Sequence, residues 1–327
     1  MPRFLMLVLA LCVAAPARAD VTVDVRLTSQ GQALANQMGV TAAELERRMK
    51  DRIDSTLGTD GAALQAFSDA AVLSSHGLGV DYVSVPESLI VGVAANAAAA
   101  NGDLSALDHP IGGVAANVAV MAGLNLSAFG VPRWTVYGSG FYRSDTVDGI
   151  DGAITNAAAH VQYALIAPGP GTVVRWTGLQ LTSGLELTRW TLGTEQAMGT
   201  SFAISGHQLG YDMTGRFELA SNSLTVPVEL STGVRVAVVS VYAGVGVDAT
   251  AGAGSVDAMV TGPLTDDQGR RLGTATISGH DSHGASPVSA RALGGVQLDA
   301  WKLKIFGHVN AAADSATSIG VGVRGVL

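Results

Sequence analysis

The chain has 327 residues, of which 48% are hydrophobic and only 14% are charged, and its formal net charge is −8. Soluble domains usually carry roughly 25% charged residues, so this composition favours a membrane protein over a soluble secreted one. With 19 basic against 27 acidic residues, the chain is a poor match to the basic surfaces that nucleic acids require. We expect no nucleic-acid partner.

The first region, residues 1–19, has the layout of a secretory signal peptide. Arg3 supplies the positive start, residues 4–15 form an apolar core, and Ala-Arg-Ala at 17–19 offers a small-residue cleavage site. We expect cleavage after export through the inner membrane, with a mature chain that begins at residue 20. The only cysteine, Cys12, lies in this region, so we expect no disulfide or thiolate chemistry in the mature chain.

The second region, residues 20–88, reads as a helical segment. Apolar residues recur at intervals of four over residues 45–57, Thr41 and Glu44 form a capping box, and residues 60–75 make a second helical stretch. Two roles fit this segment equally well. It is either a periplasmic cap that helps to seal a barrel or a functional plug in the lumen.

The third region, residues 89–327, alternates apolar with small or polar residues. Even positions are apolar over 114–124, and odd positions are apolar over 236–247. A period of two indicates β-strands. Twelve residues are too few for a spanning helix, which needs about 20, but they fit a tilted transmembrane strand of roughly 9 to 11.

Fourteen candidate segments in this region, some of them borderline, predict an all-β fold, a transmembrane antiparallel β-barrel of about 12 to 14 strands behind the short helical segment. The long segment 172–190 is expected to project beyond the bilayer. A soluble β-sandwich also alternates, but its buried face is usually built from larger residues than the Val and Ala found here. Because an open sheet leaves unpaired edges in lipid, the strands must close.

Charged and polar residues fall on the face opposite the apolar one and are predicted to point into the lumen. Facing charges there either neutralise one another or line a path that selects solutes. The predicted lumen-facing residues are Glu186, Arg235, Arg291, Gln297, Asp299, Lys302, Lys304, His308 and Arg324.

One histidine cluster, His280, Asp281 and His283, is a weak candidate for a metal site. Its spacing matches no known ligand pattern, and the flanking glycines predict a flexible loop. We therefore expect no metal, no cofactor and no enzymatic activity.

The layout of a signal, a helical segment and about 14 amphipathic strands resembles Gram-negative outer-membrane β-barrel proteins. More loosely it resembles the FadL-like family of transporters for long-chain fatty acids and other hydrophobic compounds. The handover from helix to first strand over residues 68–96 is similar in placement, although Val85-Pro86-Glu87 stands where that family has Asn-Pro-Ala. The resemblance implies a location in the outer membrane, with its lipid and the barrel-assembly machinery as partners.

The resulting function hypothesis is a channel or transporter for small solutes, hydrophobic ones included, which the N-terminal helices gate or plug. A second hypothesis is a structural or adhesive barrel whose loops, such as 143–152 and 279–286, are the functional part. A third, the least favoured, is an outer-membrane lipid hydrolase.

Overall fold

The fold is described by a computed structural model that covers residues 20–37, 39–44, 47, 61–83, 89–100, 113–204, 207–266, 268–313 and 316–326. The predicted signal peptide lies outside these residues, as does most of the helix predicted over 45–57. No helix in the described part of the chain is both long and apolar enough to cross a membrane. The elements are β1 (Asp20–Leu27), α1 (Ser29–Gln37), α2 (Gly61–Ser75), β2 (Leu89–Ala100), β3 (Gly113–Asn125), β4 (Trp134–Val147), β5 (Ile150–Ile166), β6 (Val174–Ile204), β7 (His207–Val236), β8 (Val239–Thr265), β9 (Arg271–Gly284), β10 (Val288–Ala300), β11 (Leu303–Ala312) and β12 (Thr317–Val326).

Ten of the twelve described strands, β2–β8 and β10–β12, close into an antiparallel barrel. Neighbours in the chain pair in order from β2 to β8, and β8 then pairs with β10. The closing seam joins β12 to β2, from Thr317 opposite Ala99 to Val326 opposite Ile90. Closure satisfies the backbone groups that an open edge would leave unpaired in lipid.

The barrel wall alternates as predicted. On β3, exposed Val114, Val118 and Val120 point outward, while Ala115 and Ala119 are buried. On β8, Val245 is exposed and Tyr242 is buried. The predicted fold class, a transmembrane antiparallel β-barrel behind a short helical segment, is confirmed. The predicted count of 12 to 14 strands fits the described sheet of twelve, of which ten form the barrel itself.

Several predicted strand boundaries are wrong because strands run through the expected turns. Candidates 213–221 and 224–232 both belong to the single strand β7, and candidate 254–262 is the distal part of β8. Candidate 234–249 is instead interrupted by the 237–238 turn between β7 and β8. Residues 279–284 are also strand rather than loop. Ladder pairing with long neighbours overrides local turn preference at these positions.

The prediction that residues 20–88 are helical is wrong at their start, since residues 20–27 form β1. This strand pairs with β9 in eight register positions, from Asp20 opposite His280 to Leu27 opposite Gly273. Further on, the Thr41 hydroxyl accepts a hydrogen bond from the Glu44 amide at 3.1 Å, as expected for the N-cap of the predicted helix.

The sheet continues past one end of the barrel as a structure that we call the projection. It consists of β1, β9 and the distal parts of β6 (189–204), β7 (207–222) and β8 (253–265). Its inward face has its own hydrophobic core, which Leu34 of α1 also joins. The buried members of that core are Val23, Val40, Met213, Val260, Leu264, Leu272, Ala275 and Ile277.

The two ends of the barrel differ. At the turn end, β-strands are joined by residues 126–133, 167–173, 237–238 and 301–302, and β12 terminates there. The other end carries the projection, and we call it the projection end. On β4, exposed Trp134 and Tyr142 lie eight residues apart, about 26 Å along a strand, which is of the order of the apolar band of such barrels.

A matched pair of substitutions on β8 tests where lipid contacts the wall. Val245 and Met259 share the outward face, but Val245 lies in the apolar band and Met259 lies in the projection. We expect Val245→Arg to destabilise the folded barrel by about 2–4 kcal/mol, as Arg does near a bilayer midplane. Met259→Arg should leave stability nearly unchanged, as measured by denaturant titration in lipid vesicles. Equal effects of the two substitutions would contradict the assignment.

Candidate functional site

The lumen is filled by residues 61–83, which we call the plug. From residue 64 onward every plug residue is buried except the half-buried Gln65 and Asp69. The Ala- and Ser-rich sequence of α2 keeps the helix thin enough to lie beside the wall, with Ala70 and Ala71 fully buried. Gly113 of β3 is required by this packing, since a Cβ there would lie 2.1 Å from the Ala66 backbone.

The helix of the plug, α2, ends beside a buried group of ionisable side chains around His76. The His76 Nδ1 atom lies 2.6 Å from Glu186 Oε2, and its Nε2 atom lies 3.1 Å from Asp248 Oδ2. Glu186 also contacts His160 Nε2 at 3.0 Å and accepts a hydrogen bond from the Ser75 hydroxyl at 3.1 Å. This group ties the plug to β5, β6 and β8.

A second buried group lies in the wall itself. Arg291 donates to Asp248 at 2.8 Å and to Asn310 at 2.9 Å, and its other terminal nitrogen pairs with Glu229. The Arg291 side chain is fully buried. It thus holds two carboxylates of β7 and β8 in place from β10.

A third buried group contacts the C-terminal part of the plug, at Val80 and Asp81. Asp81 lies 3.0 Å from Arg324 Nη1 and 3.8 Å from Lys304 Nζ. Arg324 also donates to the Val80 carbonyl at 2.7 Å and lies 3.8 Å above the Phe306 ring. The plug is therefore fixed to β11 and β12 as well.

Of the predicted lumen residues, seven are buried inside the barrel: Glu186, Arg291, Gln297, Asp299, Lys304, His308 and Arg324. Arg235 lies at the rim, one third exposed, with its Nε atom 3.4 Å from Asp299. The prediction that Lys302 faces the lumen is wrong, because β10 ends at Ala300 and Lys302 lies in the exposed turn 301–302. Its ammonium group lies 5.7 Å from the Trp301 ring.

The main residues that sequence reasoning missed are His76, Asp81, His160 and Glu229. His76 and Asp81 are isolated polar residues within the otherwise small and apolar stretch 76–83, and that isolation is a signal that each needs a buried partner. The alternation on β5 and β7 could have placed His160 and Glu229 on the inward face, but no pattern in one chain shows which partner each one meets.

The side chains of the candidate metal cluster do not point to a common site. His280, Asp281 and His283 lie on β9, where His280 is exposed and Asp281 is buried because successive side chains point to opposite faces. His280 Nδ1 instead contacts Asp257 of β8 at 2.7 Å. Among the described residues, no group of three or more potential ligands is placed to hold a metal ion.

The free space beside His76 is small. A cavity of about 20 Å³ adjoins His76, Asp248 and Thr250, which is room for about one water molecule. A much larger concavity of about 910 Å³ lies outside the lumen, on the outer face of the wall at the projection end. Its charged lining residues are Asp145, Asp151, Arg189, Glu195, Arg216 and Glu218.

Comparison with known proteins gives one family match and several similar folds. The profile of a family described as Lsa36-like matches residues 17–327, and no curated protein matches the chain. The chain is similar to the translocator domain of autotransporter NalP from Neisseria meningitidis, with 10% identity, a TM-score of 0.29, and coverage of 90% of this chain and 99% of that one. It is also similar to the Pseudomonas putida toluene transporter TodX, with 8% identity, a TM-score of 0.28, and coverage of 80% and 95%. The FadL-like resemblance stays a prediction.

Proposed function

The chain belongs to the Lsa36-like family, and we propose that it is an outer-membrane β-barrel that anchors a rigid extracellular β-sheet for binding a protein partner. The observation that carries this proposal is the projection, in which five strands extend the wall beyond its apolar band around a hydrophobic core of their own. A sheet with its own core presents its outer surface in one fixed geometry, and this preorganisation lowers the entropic cost of binding.

The orientation follows from the ends of the barrel. Bacterial barrels have short periplasmic turns and longer extracellular loops. The connections at the turn end have two to eight residues, whereas strands at the other end continue into the projection. This difference supports a position of the projection outside the cell. Outer-membrane lipid and the barrel-assembly machinery are proposed as its further partners.

The chemistry of the outer concavity indicates the class of ligand. Arg189 and Arg216 lie there among carboxylates that include Asp151 and Glu195. Both signs of charge alternate over a surface that is open to water. Such a pattern complements a polypeptide, which also carries both signs, better than a uniformly anionic polymer.

Attachment of intact cells to a protein-coated surface tests the proposal. We expect the double variant Arg189→Glu/Arg216→Glu to lose attachment, and protease shaving of wild-type cells to have the same effect. Lys302→Glu, a reversal of charge in the exposed turn at the opposite end, is the matched control and should attach normally. Heat-modifiable migration verifies that each variant is folded.

The result that would overturn the proposal is normal attachment by the double variant, together with solute flux through wild-type protein in liposomes. That pair of results would favour the transport hypothesis, in which residues 64–83 must move to open a path. The expectation that the protein has no enzymatic activity stays a prediction.

A further inference from the structure

The plug has a direction inside the barrel. Near its start, Ala66 lies against Gly113, the first residue of β3 at the projection end. Near its end, Asp81 pairs with Lys304 and Arg324, which lie beside the 301–302 turn. Residues 61–83 therefore run from the projection end to the turn end, where β2 begins.

The chain before the plug lies at the projection end. All eight residues of β1 pair with β9 of the projection, and Val23 and Val40 are buried in its core. The order along the chain is thus projection, lumen, turn end and barrel wall. From these positions we infer that residues 61–83 thread the lumen outward, so that the mature N-terminus is displayed on the cell surface. This inference rests on the orientation given in the proposed function.

The filled lumen constrains when this threading occurs. Residues 64–83 are packed against the wall, and the cavity beside His76 has room for about one water molecule. The segment that begins with β1 must therefore cross before the seam between β12 and β2 closes around the plug. A peptide fused ahead of residue 20 would follow the same route.

Cysteine labelling tests this topology, because the mature chain is expected to have no cysteine of its own. Three single-cysteine variants of the full-length protein, each also carrying Cys12→Ser, are treated in intact cells with a membrane-impermeant maleimide. Gln37→Cys reports on α1, Gln196→Cys on the projection and Lys302→Cys on the turn end, and all three positions are exposed. For each variant, the labelling in intact cells is compared with the labelling after lysis, which serves as the maximum.

We expect Gln37→Cys and Gln196→Cys to be labelled as fully in intact cells as in lysed cells, and Lys302→Cys to be labelled only after lysis. Labelling of Gln196→Cys but not Gln37→Cys in intact cells would overturn the inference and leave the proposed orientation standing. Labelling of Lys302→Cys alone would overturn both. If Gln37→Cys fails to show heat-modifiable migration, Gln30→Cys on the same helix replaces it.

Discussion

Replacing Arg291 with Met is expected to destabilise the folded barrel by about 3–5 kcal/mol, the usual cost of removing one partner from a buried ion pair. The Arg291 side chain is fully buried and satisfies both Glu229 and Asp248. Met fills a similar volume but leaves two carboxylates of neighbouring strands facing each other in a water-poor interior. The measurement is the free energy of unfolding from urea titration in lipid vesicles.

Two further variants make this prediction specific. Arg235→Met is the matched control, because Arg235 at the rim is one third exposed and its pair with Asp299 is worth about 1 kcal/mol or less. Arg291→Met combined with Glu229→Gln should recover part of the loss, since the charge of Glu229 is removed while Asp248 keeps its contact with His76. Equal losses for Arg291→Met and Arg235→Met would show that the buried group does not hold the wall together.

Removal of residues 20–83 is expected to convert a closed barrel into an ion-conducting one. The plug fills the lumen of the barrel. The wall that remains after the deletion carries equal numbers of acidic and basic side chains, which are Glu186, Glu229, Asp248, Asp299, Arg235, Arg291, Lys304 and Arg324. An emptied polar lumen of ten strands fills with water. Single-channel recording in planar bilayers measures the change.

The control for this deletion is removal of residues 20–37 alone. That variant loses β1 and α1, which lie on the projection, but it keeps the plug and its contacts with Glu186 and Arg324. We expect it to stay closed, as wild type does. Conductance of wild-type protein equal to that of the deletion would show that the plug does not seal the lumen.

The barrel wall of this protein can be predicted from the amino-acid sequence. Alternation on β3, β8 and β10–β12 depends only on the period of two and on which solvent each face contacts, so outward Val245 and inward Arg291 are both readable from the chain. The cap of the helix at Thr41 is equally local. Each of these features arises from residues that are neighbours in the chain.

The strand lengths, the projection and the contents of the lumen depend on the tertiary structure. Turn-like residues at 279–284 remain strand because β8 continues beside them, and residues 20–27 are strand because β9, far along the chain, pairs with them. The pairing of His76 with Glu186 joins residues 110 positions apart. Such partners meet only when the sheet closes, because sequence periodicity specifies the face on which a side chain lies but not the distant residue opposite it.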